Sequence, residues 1–301
     1  MFKKTAIIAG IGLALSASAQ ADYRWELGAG YAAGSFDYET KNPKTIDDDN
    51  DTDVLGVSGT LYLDNVDTSK GPLGEAAFLD HSSYIKLAFT DGEVDISGAD
   101  DEDGQTYSVD TRYVAEGPNW QLSGWLVDLG YERSEPGDQE IDTWNVGIGK
   151  YLTPNTTLVL GWRNDNVNNG GDVDSWGADI EHFFAFSGDG GIKARAHGGK
   201  TVVSGLDDPT TWGVGATWYI GNNWGIAADY ELDDVNGFEV DRMSLGVEWF
   251  ITENLAVELA GQLTEPDDVD CSKAPSACGG QETGKLETEY SQVGISALYR
   301  F

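Results

Sequence analysis

Between Trp144 and Leu263 the chain alternates between apolar and polar residues with a period of two, and no other feature restricts the fold as strongly. The alternation runs through four segment pairs, each centred on a short turn that contains Asn or Asp. A period of two indicates β-strands, and short turns between successive strands indicate antiparallel hairpins. The block therefore predicts an all-β, up-and-down sheet rather than a helical fold.

The polarity of the two strand faces distinguishes two all-β folds. A soluble sandwich buries its apolar face, whereas a membrane barrel turns that face towards lipid and keeps a polar lumen. Trp218 and Trp249 each lie three residues before a turn and next to a further aromatic residue, as in an interfacial aromatic ring. The opposite face carries glycine and charged side chains. We therefore expect a transmembrane antiparallel β-barrel over residues 22–301.

The end of the chain supports the barrel. Residues 291–301 alternate strictly and end in Phe301, with Tyr299 on the same apolar face. A final strand of this form resembles the outer-membrane targeting signal of Gram-negative barrels. The resemblance implies that Tyr299 and Phe301 are read by the barrel-assembly machinery.

We expect about fourteen strands, with twelve or sixteen as alternatives, since bacterial barrels have an even number. The fifth is ambiguous because its apolar phase changes between Leu122 and Trp125, which a β-bulge would explain. The long connection from 64 to 82 contains Pro72–Leu79, which predicts a short helix with proline in its first turn. The expected strands lie near residues 23–34, 54–63, 83–91, 106–115, 121–132, 141–152, 156–164, 174–186, 191–201, 210–220, 224–232, 239–251, 255–263 and 287–301.

Residues 1–21 predict a cleaved secretory signal peptide. Lys3 and Lys4 precede an apolar stretch, and Ala19-Gln20-Ala21 forms an A-x-A cleavage site. A retained N-terminal membrane anchor is the alternative, but it needs a longer apolar run than this segment provides.

Export permits disulfide formation. The two cysteines, Cys271 and Cys278, lie in one polar loop, and we expect them to form a disulfide that closes this loop. A metal site is the alternative, but no histidine lies near the two thiols.

The chain is strongly acidic, with 52 acidic against 18 basic residues and a net charge of −34. Phosphate repels such a chain, so we expect no nucleic-acid partner. Much of the acid falls within residues 47–53 and 91–103, which we expect to be long outer loops. We expect these loops to form a hydrated surface without a specific ligand. Divalent-cation binding is the alternative, although Val54 stands where a calcium loop needs glycine.

A smaller set of charged residues is expected to line the pore. The basic members fall on the expected strands seven and nine, whereas acidic members gather on strands eleven to thirteen and on strand one. This distribution predicts a transverse field and a preference for cations. Alternatively, the charges pair locally and only hydrate the lumen. The acidic candidates are Glu26, Asp179, Glu181, Asp229, Glu231, Asp241, Glu248 and Glu258, and the basic candidates are Arg163, Lys193, Arg195 and His197.

Two motifs near the expected mature start carry a family resemblance. They are Asp22-Tyr23-Arg24-Trp25-Glu26-Leu27 and the stretch from Val66 to Asp80, which includes Gly71-Pro72-Leu73-Gly74-Glu75. Both resemble a porin family of Gram-negative bacteria. The motifs cover only the first quarter of the chain. The resemblance implies a barrel in the cell outer membrane and implies no catalytic residue.

The expected function is a passive, water-filled diffusion channel for small hydrophilic solutes or ions. A structural or adhesive barrel without conductance is the alternative. An outer-membrane hydrolase is a weaker one, because the chain has only three histidines and no G-x-S-x-G motif. We expect no enzymatic activity, no cofactor and no metal.

The expected partners are outer-membrane lipid, the barrel-assembly machinery and small hydrophilic solutes. A homo-oligomer is a further hypothesis, since small residues on the outward face allow two barrels to approach closely. These residues are Ala178, Ala194, Ala196 and Gly198.

The signal-peptide prediction is tested by the mass of the exported protein. We expect intact-mass measurement of the protein from purified outer membranes to give a chain that begins at Asp22. A chain that still carries residues 1–21 would contradict the prediction and favour the membrane anchor.

Overall fold

The computed structural model describes most of the expected mature chain, and the expected signal peptide, Cys271 and Cys278 lie outside the described residues. Described are residues 22–41, 46–95, 102–117, 123–137, 139–168, 170–186, 189–202, 208–235, 238–266, 269–270 and 285–301.

Fourteen antiparallel strands form one closed barrel, which confirms the expected fold class and strand number. Each strand pairs with the next along the chain, and the last pairs with the first. A further two-residue strand, Val269–Asp270, pairs with the start of the last strand and is not numbered here. The barrel strands are β1 Tyr23–Lys41, β2 Ile46–Val66, β3 Tyr84–Asp95, β4 Glu102–Val114, β5 Trp125–Pro136, β6 Ile141–Thr153, β7 Thr156–Val167, β8 Asp172–Ala185, β9 Gly191–Val202, β10 Thr210–Ile220, β11 Trp224–Val235, β12 Phe238–Thr252, β13 Leu255–Pro266 and β14 Lys285–Arg300.

The seam between β1 and β14 extends to the end of the chain. The register runs without interruption from Glu26 opposite Arg300 to Lys41 opposite Lys285. Beyond it, the backbone N–H groups of Arg24 and Trp25 donate to the carbonyl oxygen of Phe301 at 3.0 and 2.9 Å. The N–H of Phe301 donates back to Trp25 at 3.0 Å. The edges that an open sheet would expose are therefore paired with each other.

The outward face of the strands is apolar and has aromatic residues at two levels. Large apolar side chains on alternate residues remain exposed on this face. Four strands place an inner and an outer aromatic residue six positions apart, with aliphatic residues between them. The pairs are Trp25 and Tyr31, Trp125 and Tyr131, Trp218 and Trp212, and Trp224 and Tyr230. Two aromatic girdles around an apolar band are typical of an outer-membrane barrel.

The outer girdle marks the boundary between the apolar belt and the acidic end of the barrel. Tyr131 donates to Asp142 at 2.6 Å, and the indole N–H of Trp162 donates to Asp174 at 3.1 Å. Tyr31 and Tyr230 make the same kind of bond to Asp53 and Asp241. Each aromatic ring thus lies at the edge of the apolar band while its polar group bonds to an outward carboxylate.

The acidic stretches correct one expectation. Residues 47–53 belong to β2, and residues 91–95 and 102–103 belong to β3 and β4, so most of this acid lies on strands rather than in loops. Beyond the apolar belt both faces of a strand can be solvated, so the backbone ladder continues without an apolar face. The expected strand bounds follow the apolar alternation, so the expected strands end where the apolar belt ends.

The fifth strand also differs from the expected bounds. β5 begins at Trp125, and its register with β4 and with β6 is continuous, so no bulge interrupts it. Gly124 immediately before it has a φ of +74°, a left-handed conformation that suits glycine in a turn. The phase change after Leu122 therefore falls before the strand. Residues 118–122 lie outside the described part of the chain.

Helical structure in the described residues is limited to the connection between β2 and β3. Two 3-10 turns, Thr68–Lys70 and Leu73–Glu75, precede a short α-helix, Ala76–Leu79. The short helix predicted after Pro72 is confirmed. None of the helical segments in the described ranges has the length and apolar character needed to cross a bilayer.

An ion pair lies at the inner end of the seam. Arg300 and Glu26 face each other across β14 and β1, with Arg300 Nε 2.8 Å from Glu26 Oε1. Tyr62 donates to the other carboxylate oxygen at 2.8 Å. The guanidinium lies over the rings of Tyr23 and Phe250. Both charged residues are buried, so each depends on its partners for compensation.

Replacement of Arg300 by methionine leaves the Glu26 carboxylate buried without its cation. We expect R300M to lower the free energy of unfolding by about 3–5 kcal/mol, the usual cost of breaking a buried pair. Urea unfolding of the detergent-solubilised barrel, followed by tryptophan fluorescence, measures this loss. The double variant E26M/R300M is the control, because it removes both charges and should recover much of the loss. Equal stability of R300M and the parent would contradict the role given to the pair.

Candidate functional site

The connection between β2 and β3 folds back into the barrel and crosses its inner end. We call residues 67–83 the inner segment. Its side chains pack against inward residues from many strands around the barrel. Leu73 packs with Phe250, Ala256 and Leu298, and Ala76 packs with Tyr23, Tyr62 and Val66. Leu79 packs with Phe183 and Tyr219. Phe78 packs against Val114, Leu126 and Tyr151. The inner segment thus lies across the lumen and reduces the inner opening.

Hydrogen bonds fix the inner segment to the barrel wall on several sides. The N–H of Leu73 donates to the carbonyl of Asn222 at 3.0 Å, and Arg300 donates to the carbonyl of Leu73 at 2.8 Å. Tyr151 donates to the carbonyl of Phe78 at 3.0 Å. These bonds satisfy backbone groups of the segment that the lumen would otherwise leave without partners.

Glu75 is the charged residue at the centre of these contacts. It is 4% exposed, accepts a hydrogen bond from Tyr219 at 2.6 Å and lies 3.1 Å from the ammonium of Lys193. Burial raises the pKa of the Glu75 carboxyl, and the charge of Lys193 opposes this shift. Lys193 also lies 3.5 Å from Glu181 and over the ring of Phe78. One cation on β9 therefore connects the inner segment to the wall.

Local sequence explains the shape of the inner segment. Asp67 accepts from the N–H of Ser69 at 2.9 Å and caps the first turn, and Pro72 directly precedes the second. Gly74 lies against the wall, where a Cβ atom would collide with the carboxylate of Glu248 and would stand 2.9 Å from the ring of Tyr219. The inner segment approaches the barrel wall this closely at position 74 only because glycine has no side chain.

The register places eleven of the twelve candidate pore residues on the inward face of the barrel. They are Glu26, Asp179, Glu181, Asp229, Glu231, Glu248, Glu258, Arg163, Lys193, Arg195 and His197. Glu26 is nevertheless separated from the water of the lumen, because Arg300, Tyr62 and the inner segment cover it.

Asp241 is the exception, and its predicted place in the pore is wrong. It shares the outward face of β12 with Met243 and Leu245 and bonds to Tyr230 at the outer girdle. A period of two cannot place Asp241 and Glu248 on the same face. The inward residue beside it is Arg242, a cation.

The wall expected to be basic is neutralised by local pairs. Arg163 lies 2.9 Å from Asp165, and Arg195 lies 2.7 Å from Asp179. His197 Nε2 is 2.8 Å from Glu231, which also pairs with Arg242. This agrees with the alternative in which charges on these strands pair with their neighbours.

The wall formed by β11 to β13 differs because three of its carboxylates lack such partners. Asp229, Glu248 and Glu258 lie inward on β11, β12 and β13. Within the described residues, no ion pair joins any of the three to a cation. The structure thus places three unpaired carboxylates on β11 to β13, beside strands whose charges are paired.

Inward charges on β3 to β5 were not predicted. Lys86, Asp110, Arg112 and Asp128 occupy the inward face there, and Arg112 makes two hydrogen bonds to Asp128 at 2.7 and 2.8 Å. The alternation that begins at Trp125 could have placed Asp128 inward. The sequence left it uncertain which face of the fifth predicted strand is inward, so Asp128 was not assigned to the pore.

A family model described as "Putative general bacterial porin" matches residues 2–196, more than half of the chain. The chain belongs to this porin family. The barrel, its two girdles and its polar inward face agree with a porin of the bacterial outer membrane.

Solved structures show the same fold at low sequence identity. The outer membrane protein Omp33 of Acinetobacter baumannii is 18% identical, with a TM-score of 0.56 over 93% of this chain and 99% of that chain. A deltaS2 mutant of the monoaromatic hydrocarbon channel TodX is 9% identical, with a TM-score of 0.50 over 93% of this chain and 91% of that chain. No curated protein sequence matches the chain significantly.

A side chain at position 74 should displace the inner segment. We expect G74V to collide with Glu248 and Tyr219 and to expose the short helix to water. The measurement is the rate at which a maleimide labels a cysteine introduced by Ala77→Cys, with Cys271 and Cys278 replaced by serine. G74V should increase this rate several-fold.

The control is G246V, because a Cβ at Gly246 has no heavy atom nearer than 3.7 Å. It should leave the labelling rate unchanged. Equal rates in G74V and G246V would show that the segment does not depend on the close contact at Gly74.

Proposed function

We propose that this porin is a passive, water-filled diffusion channel for small hydrophilic solutes and ions, with a preference for cations. The observation that carries the proposal is the set of three inward carboxylates without a cation partner, Asp229, Glu248 and Glu258, on strands beside those whose charges are paired.

The inward face supports an aqueous path. Glycine and polar or charged residues alternate with the lipid-facing residues on every strand of the hairpin block. A closed barrel of this kind holds water where its lumen is polar. Because the inner segment occupies part of the inner end, it sets the narrowest part of the path, and this limits passage to small solutes.

The balance of inward charge supports the cation preference. Inward carboxylates outnumber inward cations in the described strands, and carboxylate-lined walls favour cations. The inward cations of the strands are Lys86, Arg112, Arg163, Lys193, Arg195, Arg242 and Arg300. The inward carboxylates are Glu26, Glu102, Asp110, Asp128, Glu132, Asp165, Asp179, Glu181, Asp229, Glu231, Asp233, Glu248 and Glu258.

A structural barrel without conductance is the second candidate. The observation that favours it is the tight packing of the inner segment against the wall, with Leu73 and Ala76 at most 1% exposed. Planar-bilayer recordings separate the two candidates. Current steps of fixed size support the channel, whereas a silent membrane supports the structural barrel.

The cation preference is tested by the reversal potential in a KCl gradient. We expect the parent channel to favour K⁺ over Cl⁻. The triple variant D229N/E248Q/E258Q should lower the permeability ratio several-fold, because it removes three unpaired carboxyl groups and keeps the size of each side chain.

The matched control is D241N, which removes a carboxylate from the outward face of the same barrel. It should leave the permeability ratio unchanged. A reversal potential that favours Cl⁻ in the parent protein would overturn the preference.

A further inference from the structure

A recess lies in the barrel wall above the inner segment. It consists of two adjoining cavities of about 420 and 410 Å³, which share Asp128, Val159, Asp179 and Arg195 as lining residues. The lower cavity has part of the inner segment as its floor, through Ala77, Phe78 and Ser82. Cavities of a few hundred Å³ are the usual size for binding one small molecule.

A row of registered glycines creates the space for the upper cavity. Gly147, Gly161, Gly177 and Gly199 lie opposite one another on the inward faces of β6, β7, β8 and β9. No side chain projects from this row, so the wall is recessed to the backbone across four strands. Asp128 lies in register beside the row on β5, and Asp179 and Arg195 lie on the inward faces of β8 and β9.

The charges around the lower cavity are mixed and balanced. Three cations, Arg112, Lys193 and Arg195, and three carboxylates, Asp128, Asp179 and Glu181, line it. A solute with a single charge meets like charges as well as opposite ones in such a cavity. A solute with one positive and one negative group can place each against its opposite.

Arg195 is the cation with the most capacity to bind a solute. Its one hydrogen bond to a described residue is from Nε to Asp179, and half of its side chain is exposed. By contrast, Arg112 makes two bonds to Asp128 and is 23% exposed, and Lys193 is shared by Glu75 and Glu181. A solute carboxylate can therefore take the remaining donors of Arg195 without breaking its pair with Asp179.

The floor of the lower cavity is aromatic and apolar. Phe78 and Tyr151 line it with ring centroids 5.7 Å apart, and Tyr84 and Val159 complete this surface. An apolar side group of a solute can lie on these rings while its charged groups reach the walls.

We propose that this recess binds small zwitterionic solutes that carry one carboxylate, one ammonium group and an apolar side group. Arg195 binds the solute carboxylate, Asp179 and Glu181 bind the ammonium group, and Phe78 and Tyr151 contact the apolar part. The inference rests on the proposed channel function and names the class of solute that pauses in the lumen during passage.

The test compares three probes of nearly equal size by calorimetry on the detergent-solubilised barrel. L-phenylalanine carries both charges, 3-phenylpropionate lacks the ammonium group, and 2-phenylethylammonium lacks the carboxylate. We expect L-phenylalanine to bind at least about tenfold more tightly than either analogue, since each charge-assisted bond contributes at least about 1.5 kcal/mol. Equal binding of all three, or binding of none, would overturn the proposal.

Variants locate the site. R195Q and D179N should each weaken binding of L-phenylalanine about tenfold or more. K86Q is the control, because Lys86 is an inward cation that lines a different cavity, beside Glu248 and Glu258. It should leave the affinity unchanged. Equal losses in R195Q and K86Q would overturn the assignment to the recess.

A space-filling variant tests the recess without removing a charge. At Gly161 a Cβ has no heavy atom nearer than 3.9 Å, and Gly161 lines the upper cavity, so G161L directs its side chain into the recess. We expect G161L to abolish binding of L-phenylalanine. G246L, which adds the same group to β12, outside the recess, should retain it. Binding retained in G161L would contradict the proposal.

Bilayer recordings keep this proposal separate from the channel function. In a conducting channel, L-phenylalanine should reduce the open current more than either analogue. Selective binding by calorimetry in a barrel that never conducts would support the recess and overturn the channel. Conductance without selective binding would support the channel and overturn the recess.

Discussion

The pairing of β1 with β14 is the interaction on which the rest of the structure depends. It closes the barrel, gives every strand a neighbour on both sides and separates an apolar outer face from a polar lumen. The same seam holds the buried Glu26–Arg300 pair, and Arg300 bonds to the inner segment through Leu73. Closure of the barrel and the position of the segment that narrows it therefore share one arginine.

The lumen contains two electrostatic environments. On β7 to β9 each cation has a carboxylate partner, whereas Asp229, Glu248 and Glu258 on β11 to β13 have no cation within ion-pair distance among the described residues. Pairs hold side chains in place and shape a recess, whereas unpaired carboxylates act on mobile ions over a longer range. Ion preference and solute recognition can therefore belong to different strands of one barrel.

Sequence alone predicted the barrel, its fourteen strands and the short helix after Pro72, because each depends on local periodicity or turn chemistry. Asp241 was assigned to the wrong face although the period of two already excluded it. The acidic ends of β2, β3 and β4 were missed because strands above the apolar belt have no apolar face to reveal them. The path of the inner segment was not predictable, since Leu73 packs against residues far along the chain, such as Phe250 on β12.

The contacts of the inner segment also imply an order of assembly. The segment is encoded early in the chain, but Leu73 and its neighbours rest on Phe250, Ala256, Leu298 and Arg300 from the last three strands. The contacts of Leu73 are therefore incomplete until β12, β13 and β14 are in place. A barrel that is still being built can hold Ala76 and Leu79 against earlier strands, whereas the contacts of Leu73 are complete only when the final strand joins the first.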